Sequence, residues 1–231
     1  MPSRHALVIG ASSPIGQATC TAYLARGYRV TAQYFAGQQA ATELTNLGAA
    51  AVFLDCTDLS AVAEFAEQVS PVDALQLLAA TSDPMRLDAI DILRLRRSMD
   101  MTLANYVLIG ALGPGMAERA WGRIVIGSSI GVRFGGGLDS FGYALAKHAA
   151  EFLPAQARAW AEHNVLTNVV RIGVSDTGHL ERLGRDLAIR AQMIPQRRAA
   201  QPAEIADYLV WHGSESNTFV SGQVLAISGG E

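Results

Sequence analysis

Ala6-Leu7-Val8-Ile9-Gly10-Ala11-Ser12-Ser13-Pro14-Ile15-Gly16 is the stretch on which the reading of this chain turns. Four consecutive apolar residues make a short strand buried on both faces, and they stop at a glycine. Gly10 permits a tight turn, and Gly16 lets a following helix lie close to the strand. Exposed backbone N–H groups where such a helix begins attract a phosphate. Pro14 has no N–H to offer, but it suits the first helical position, where that donor would otherwise be unpaired. Alone, the loop is equally compatible with a plain turn. Its place at the opening of a strand–helix–strand unit tilts the reading toward a pyrophosphate site.

Outward from this loop, strand and helix signals alternate to the end of the chain. The first helix is expected over 14–26, closed by Gly27. A strand over 28–34, a helix over 38–47 ending at Gly48, and a strand over 50–54 follow. Next come a helix over 59–69, a strand over 74–80 and a long helix over 90–118. A strand over 123–127 leads to another long helix over 141–163. Strands over 165–171 and 223–227 flank a helix over 202–212. Near-continuous apolar strands alternating with helices imply a parallel sheet covered on both faces, doubly wound by right-handed crossovers. The expected fold class is α/β: a Rossmann-type, seven-stranded parallel sheet with helices on both faces. Pro154 falls inside the 141–163 helix and should kink it, at about 3 kcal/mol unless packing compensates.

No repeat or linker divides the 231 residues, so residues 1–231 read as one domain. Half the residues are hydrophobic and 17% are charged, ample material for such a core. A net charge of −3 argues against nucleic acid or an anionic membrane as partner. The one basic run, Arg94-Leu95-Arg96-Arg97, reads as a solvated or interface face. Cys20 and Cys56 sit in apolar surroundings and support neither a disulfide scaffold nor a zinc site. His5, His148, His163, His179 and His212 lack ligand spacing, so no metal is expected. Met1-Pro2-Ser3-Arg4-His5 shows no signal-peptide hydrophobic region, so no leader is expected, and no window approaches the roughly 18 apolar residues of a membrane span. A cytoplasmic protein is expected.

Tyr143-Ala144-Leu145-Ala146-Lys147 places a phenol and an ammonium four apart, on one helix face. Tyrosine titrates near pH 10, so it needs help to move protons at neutral pH, and a nearby ammonium stabilises phenolate. YxxxK is common on helix surfaces; context decides. The 123–127 strand runs into Gly127-Ser128-Ser129, which offers hydroxyl donors at the carboxyl end of a strand, and a Gly135-Gly136-Gly137 loop leads to Tyr143. A strand-end serine facing the pair can polarise a carbonyl while tyrosine delivers a proton.

On these residues the chain resembles the short-chain dehydrogenase/reductase family over nearly its whole length. Gly10 to Gly16 is similar to that family's TGxxxGxG loop, with Ile9 for Thr and Pro14 for the middle glycine. The resemblance implies that Gly10, Ser12, Ser13, Ile15 and Gly16 contact the cofactor. It adds Tyr34 after the second strand, Asp55 as the aspartate that meets adenine, and its neighbour Cys56. Ala79 and Ala80 stand in for the end of the family's NNAG, read here as Leu77-Leu78-Ala79-Ala80. Val174 and Thr177 match the nicotinamide-contacting positions of PGxIxT, though Ile172 replaces the proline. Gly122-Arg123-Ile124-Val125-Ile126-Gly127-Ser128-Ser129 is similar to GRIVNISS and implies Ser129 as the catalytic serine. Its spacing to Tyr143 is one longer than usual, which leaves Ser128 as the alternative. The catalytic-tetrad asparagine falls at Thr102, with Asn105 one turn further as the other alignment. The tail, Ile194-Pro195 through Arg198, Gln201 to Ala206 and Val220 to Val224, is similar to the 3-oxoacyl-[acyl-carrier-protein] reductase branch.

The family resemblance implies an oxidoreductase that interconverts a carbonyl and a secondary alcohol by hydride transfer. Ser129 would bind the carbonyl oxygen, Tyr143 would give the proton, and Lys147 would lower the tyrosine pKa and bind the ribose, with Lys147 and Tyr143 both touching the cofactor. Ala32-Gln33-Tyr34-Phe35 carries no carboxylate to hold a ribose 2′-OH, which favours NADP(H), NAD remaining the alternative. Residues 177–195 are expected to form a lid whose Arg182, Arg185 and Arg190 either meet an anionic or carrier-bound substrate or merely solubilise a helix. A homotetramer or homodimer built on the long helices is implied. The competing reading, motivated by Pro14, Leu77-Leu78 and Thr102, is a catalytically silent dinucleotide-binding subunit.

Overall fold

Seven parallel strands run in the order β3-β2-β1-β4-β5-β6-β7 in the computed structural model. The structure describes residues 3–35, 37–69, 71–81, 83–182 and 184–231. Met1, Pro2 and the side chains of His179 and Arg182, which the sequence singled out, lie outside the described residues. The strands are β1 His5–Ile9, β2 Arg29–Tyr34, β3 Ala50–Phe53, β4 Ala74–Leu77, β5 Gly122–Ser129, β6 Val165–Ile172 and β7 Val224–Ile227. The chain leaves β1 for β2 and β3 on one side, then crosses back to β4 on the other. The order therefore reverses between β1 and β4, where an open α/β sheet leaves a crevice at its carboxyl edge.

Period-2 alternation sorts the strand residues between two cores. Leu7, Ile9, Leu75, Leu77, Ile124 and Ile126 face one side, under helices α3 (Leu59–Gln68) and α4 (Ile92–Glu118). Ala6, Val8, Ala32 and Ala74 face the other, where α1 (Pro14–Ala25) and α9 (Pro202–His212) pack. Small residues on that second face let α1 come close enough for Cys20 and Tyr23 to be fully buried. Each fully buried Leu or Ile contributes about 1.5–3 kcal/mol. Aspartates hold the starts of α3 and α4: Asp58 accepts from the Ser60 and Ala61 N–H groups, and Asp91 from those of Leu93 and Arg94.

Two expectations need correction. The strand expected over 74–80 ends at Leu77, because the Leu78 N–H makes the last bond to Ile9 O (2.9 Å) and the chain then opens into the crevice. The long helix expected over 141–163 is three pieces: α5 Phe141–Ala149, α6 Ala155–Ala159 and a 3₁₀ turn Trp160–His163. Pro154 kinks nothing; it stands at the N-terminal boundary of α6 with φ −56° and ψ 144°. The Tyr106 hydroxyl contacts the freed carbonyls of Ala149 (2.6 Å) and Phe152 (2.9 Å), so the break between α5 and α6 is satisfied from α4. Among the described residues no helix is long and apolar enough to cross a membrane.

Candidate active site

At the carboxyl edge of the sheet lies a cleft of about 690 Å³, a volume ordinary for a ligand site. At its first end the β1–α1 turn is shaped by two glycines. Gly10 has φ +82°, and a Cβ there would stand 2.6 Å from Ala79 N; a Cβ on Gly16 would stand 2.3 Å from Gly10 O. Gly16 does not line the cleft; it lets α1 pack against the turn. The Ser13 hydroxyl accepts from Gly16 N (3.0 Å) and donates to Gly10 O (2.9 Å), capping α1. The N–H groups of Ser12 and Ile15, both on the cleft wall, have no acceptor among the described residues. Two free donors at a helix start suit a phosphate.

Gln33 is a residue the sequence reading passed over. Its side-chain oxygen accepts from Gly10 N (2.8 Å) and its amide donates to Leu54 O (2.6 Å), tying the turn to the ends of β2 and β3. A polar side chain in an otherwise apolar strand was the available signal. Strand parity also corrects Tyr34: Gln33 and Phe35 line the cleft, whereas Tyr34 turns away and meets Phe53 edge-on, centroids 5.9 Å apart. Asp55 and Cys56 line the same end, and Asp55 Oδ1 accepts from Thr57 N (2.8 Å) and Oγ1 (2.7 Å). Burial pushes the Cys56 thiol up to about 12, so it stays protonated and unreactive. Ala79 and Ala80 form the middle of the wall.

At the other end β5 delivers Ser129 and α5 delivers Tyr143 and Lys147. Burial raises the Tyr143 phenol, and a hydrogen bond with the Ser129 side chain works against that rise. Of the two serines left open by spacing, Ser129 is therefore the one at the phenol. Ser128 is committed elsewhere, donating to Glu151 Oε1 (2.7 Å) and contacting Lys147 O (3.2 Å). Lys147 is buried and its Nζ donates to Gly127 O (2.6 Å). Desolvation lowers it from 10.5 to about 8. The sequence expected the ammonium to bring the phenol down; here the net shift of Tyr143 is upward, because burial dominates.

Thr102 does not reach the main cleft. Its hydroxyl donates to Ala146 O (3.0 Å), and with Asn105, Ser98 and Lys147 it borders a separate cavity of about 10 Å³, the size of one water. Asn105 borders the same cavity, so both alignments of the tetrad position lead to one place. Glu151 and Arg171, neither singled out by sequence, sit behind β5. Arg171 forks onto the Glu151 carboxylate (2.8 and 2.6 Å), and its strand position pairs with Ser128 across the sheet. Burial would raise the Glu151 carboxyl, but the Arg171 and Ser128 hydrogen bonds outweigh it and hold the group below the usual range.

Val174 and Thr177 line the cleft beyond β6, followed by α7 (His179–Arg182) and α8 (Leu187–Gln192), which stand over it. Arg185 and Arg190 also line it, but each is ion-paired, with Asp139 and Glu231 respectively. Among the described residues no three His, Cys, Asp or Glu side chains gather as a metal site.

A long groove at the switch point, two free N–H donors at one end and proton-carrying groups at the other define a dinucleotide-binding oxidoreductase. A family model described as enoyl-(acyl carrier protein) reductase matches residues 10–231. The chain belongs to the short-chain dehydrogenase/reductase family of NAD(P)-dependent enzymes, on its 3-oxoacyl-[acyl-carrier-protein] reductase-like branch. The uncharacterized oxidoreductase YmfI of Bacillus subtilis is 31% identical, over 99% of this chain and 98% of the relative. A 3-oxoacyl (acyl-carrier-protein) reductase from Agrobacterium tumefaciens C58, solved with NADP bound, is 26% identical with a TM-score of 0.89, covering 99% of this chain and 94% of the other. A 3-oxoacyl-[acyl-carrier protein] reductase from Brucella melitensis with bound NAD is 26% identical with a TM-score of 0.83, over 98% and 90%.

Proposed function

We propose that residues 1–231 act as one catalytic domain, an NADP(H)-dependent ketoreductase that interconverts a carbonyl and a secondary alcohol, with a 3-oxoacyl thioester or related ketone as substrate. The observation that carries this reading is the Ser129–Tyr143 hydrogen bond with Lys147 one helical turn further on. The nicotinamide, when bound, supplies or accepts the hydride. Ser129 and Tyr143 then hold the substrate oxygen at the strand end, and the phenol passes its proton to that oxygen as negative charge develops there. A phenol raised by burial is a reluctant anion, so Ser129's hydrogen bond and a nearby ammonium must share the phenolate charge. Lys147, poised near 8, can return the proton, and the one-water cavity against Thr102 and Asn105 gives it an outlet.

The ketoreductase names of the relatives support a carrier-bound or thioester substrate. The absence of a carboxylate at Gln33-Tyr34-Phe35 supports NADP(H) over NAD(H). The open cleft and the bonded serine–tyrosine pair support turnover over the silent-subunit alternative. Exposed Leu103 on α4 and Leu145 on α5, with Phe152 just beyond, support a homodimer or homotetramer built on these helices, which light scattering measures. The deciding experiment follows NADPH absorbance with β-ketoacyl thioesters, cyclic ketones, quinones and enoyl thioesters. Oxidation with the ketones is expected; oxidation with enoyl thioesters alone sinks the carbonyl chemistry.

A further inference from the structure

The Arg94-Leu95-Arg96-Arg97 run is not one solvated basic face. Arg94 turns back to Asp91, 3.3 Å away at the head of α4, and Arg96 is exposed. Arg97 instead lines the nucleotide end of the cleft. Its guanidinium carbon stands 5.5 Å from the centre of the Phe35 ring. Phe35 in turn stacks on Phe53, centroids 6.0 Å apart at 26°, so the arginine rests on an aromatic platform just past the end of β2.

That is the corner where the ribose 2′ position of a dinucleotide is read. What surrounds it is unusual in one respect: the usual elements offer no cation. Ser13 in the turn is neutral and its hydroxyl is engaged at both ends by Gly10 and Gly16. Gln33 is engaged by Gly10 and Leu54, and Phe35 is apolar. Asp55 is the carboxylate on this part of the wall, and its Oδ1 is held by Thr57. Arg97 is the cation lining this end, and it has neither a salt bridge nor a hydrogen bond among the described residues.

We infer that Arg97 selects the phosphorylated cofactor, supplying from α4 the charge for a ribose 2′-phosphate that neither the turn nor β2 provides. This rests on the dinucleotide reading above. A guanidinium suits the task because its forked donors match two phosphate oxygens and it stacks on an aromatic face at the same time. Because the side chain is exposed, salt should screen its contribution.

The test uses adenosine fragments, which bind without turnover. Calorimetric titration of the full chain with 2′,5′-ADP and with 5′-AMP should show the former bound about tenfold more tightly at low salt. Arg97→Gln should abolish that preference while leaving 5′-AMP within about twofold, and Arg97→Lys should keep part of it. If Arg97→Gln weakens both fragments equally, the arginine only stacks or supports the fold and the inference fails. It fails too if the variant keeps the preference, or if the parent protein binds both fragments alike, an outcome that leaves the dinucleotide reading standing. Binding of neither fragment overturns that reading and this inference together.

Discussion

The two ends of the cleft are built by opposite means. At the chemical end the side chains are buried or half-buried and already bonded: Tyr143 to Ser129, Lys147 to Gly127, and Ser128 to a Glu151–Arg171 pair behind the strand. At the nucleotide end the shape comes from backbone, with Gly10 in a left-handed conformation and two N–H groups left open, while Phe35 and Arg97 stand in solvent. Low dielectric at the first end makes proton affinities adjustable by burial; water at the second keeps charge contributions small. A reaction needs fixed geometry and a cofactor site needs shape with a modest electrostatic preference, so the contrast follows the division of labour.

The sharpest way to break the comparison is at the phenol. Tyr143→Phe should lower kcat by about 10²–10⁴-fold while NADPH affinity stays within a few-fold. Steady-state kinetics and calorimetry read the two quantities, and retained turnover would remove Tyr143 from the chemistry. Next in size is the backbone end. Gly10→Ala must place a Cβ against Ala79 N at a positive φ, which should cost about 2–4 kcal/mol in chemical denaturation and loosen nucleotide binding. An unperturbed variant would show that the turn is not sterically fixed.

Lys147→Met sharpens the contrast in the other direction, because the ammonium is held at a cost. Its folded pKa, about 8, lies below the ordinary 10.5. The protonated form is thus penalised fully below about 8, and the penalty is relieved as the pH rises from there toward 10.5. The variant, though inactive, should be more stable than the parent by about 3 kcal/mol at pH 7, with the advantage gone above pH 10.5. A variant less stable at pH 7 would mean that the Gly127 carbonyl more than offsets desolvation. The smallest effect is expected at Glu151→Gln. With the charge gone and the shape kept, Ser128 and Arg171 lose a charged acceptor, and stability should fall by about 1–2 kcal/mol at neutral pH. Because the Glu151 carboxyl is held below its ordinary range, that difference should persist through the usual carboxylate range and vanish only at more acidic pH, as the folded carboxyl is protonated.

How far the chain could be read without its structure depends on which residues carry the information locally. Gly10, Pro14 and the apolar run before them announce a strand, a turn and a helix within eleven residues, and the seven-strand rhythm follows from the same signals. Tyr143 and Lys147 were legible because four residues on a helix bring side chains together. Tyr34 was misread as a cleft residue because a one-position error in strand parity reverses the face. The helix over 141–163 was misjudged because its break is stabilised by a hydroxyl from another helix, which no local signal encodes.

Local periodicity, turn chemistry and motif spacing therefore determined the α/β architecture, the glycine turn after β1 and the tyrosine–lysine pair, since each depends on neighbours a few residues apart. Only the tertiary structure decided which serine meets the phenol, that Glu151 and Arg171 stand behind β5, and that Arg97 turns toward the nucleotide corner. These depend on side chains separated by tens of residues and brought together by strand register and helix docking. Burial, which sets the proton affinities of Tyr143 and Lys147, exists only once the whole sheet is covered.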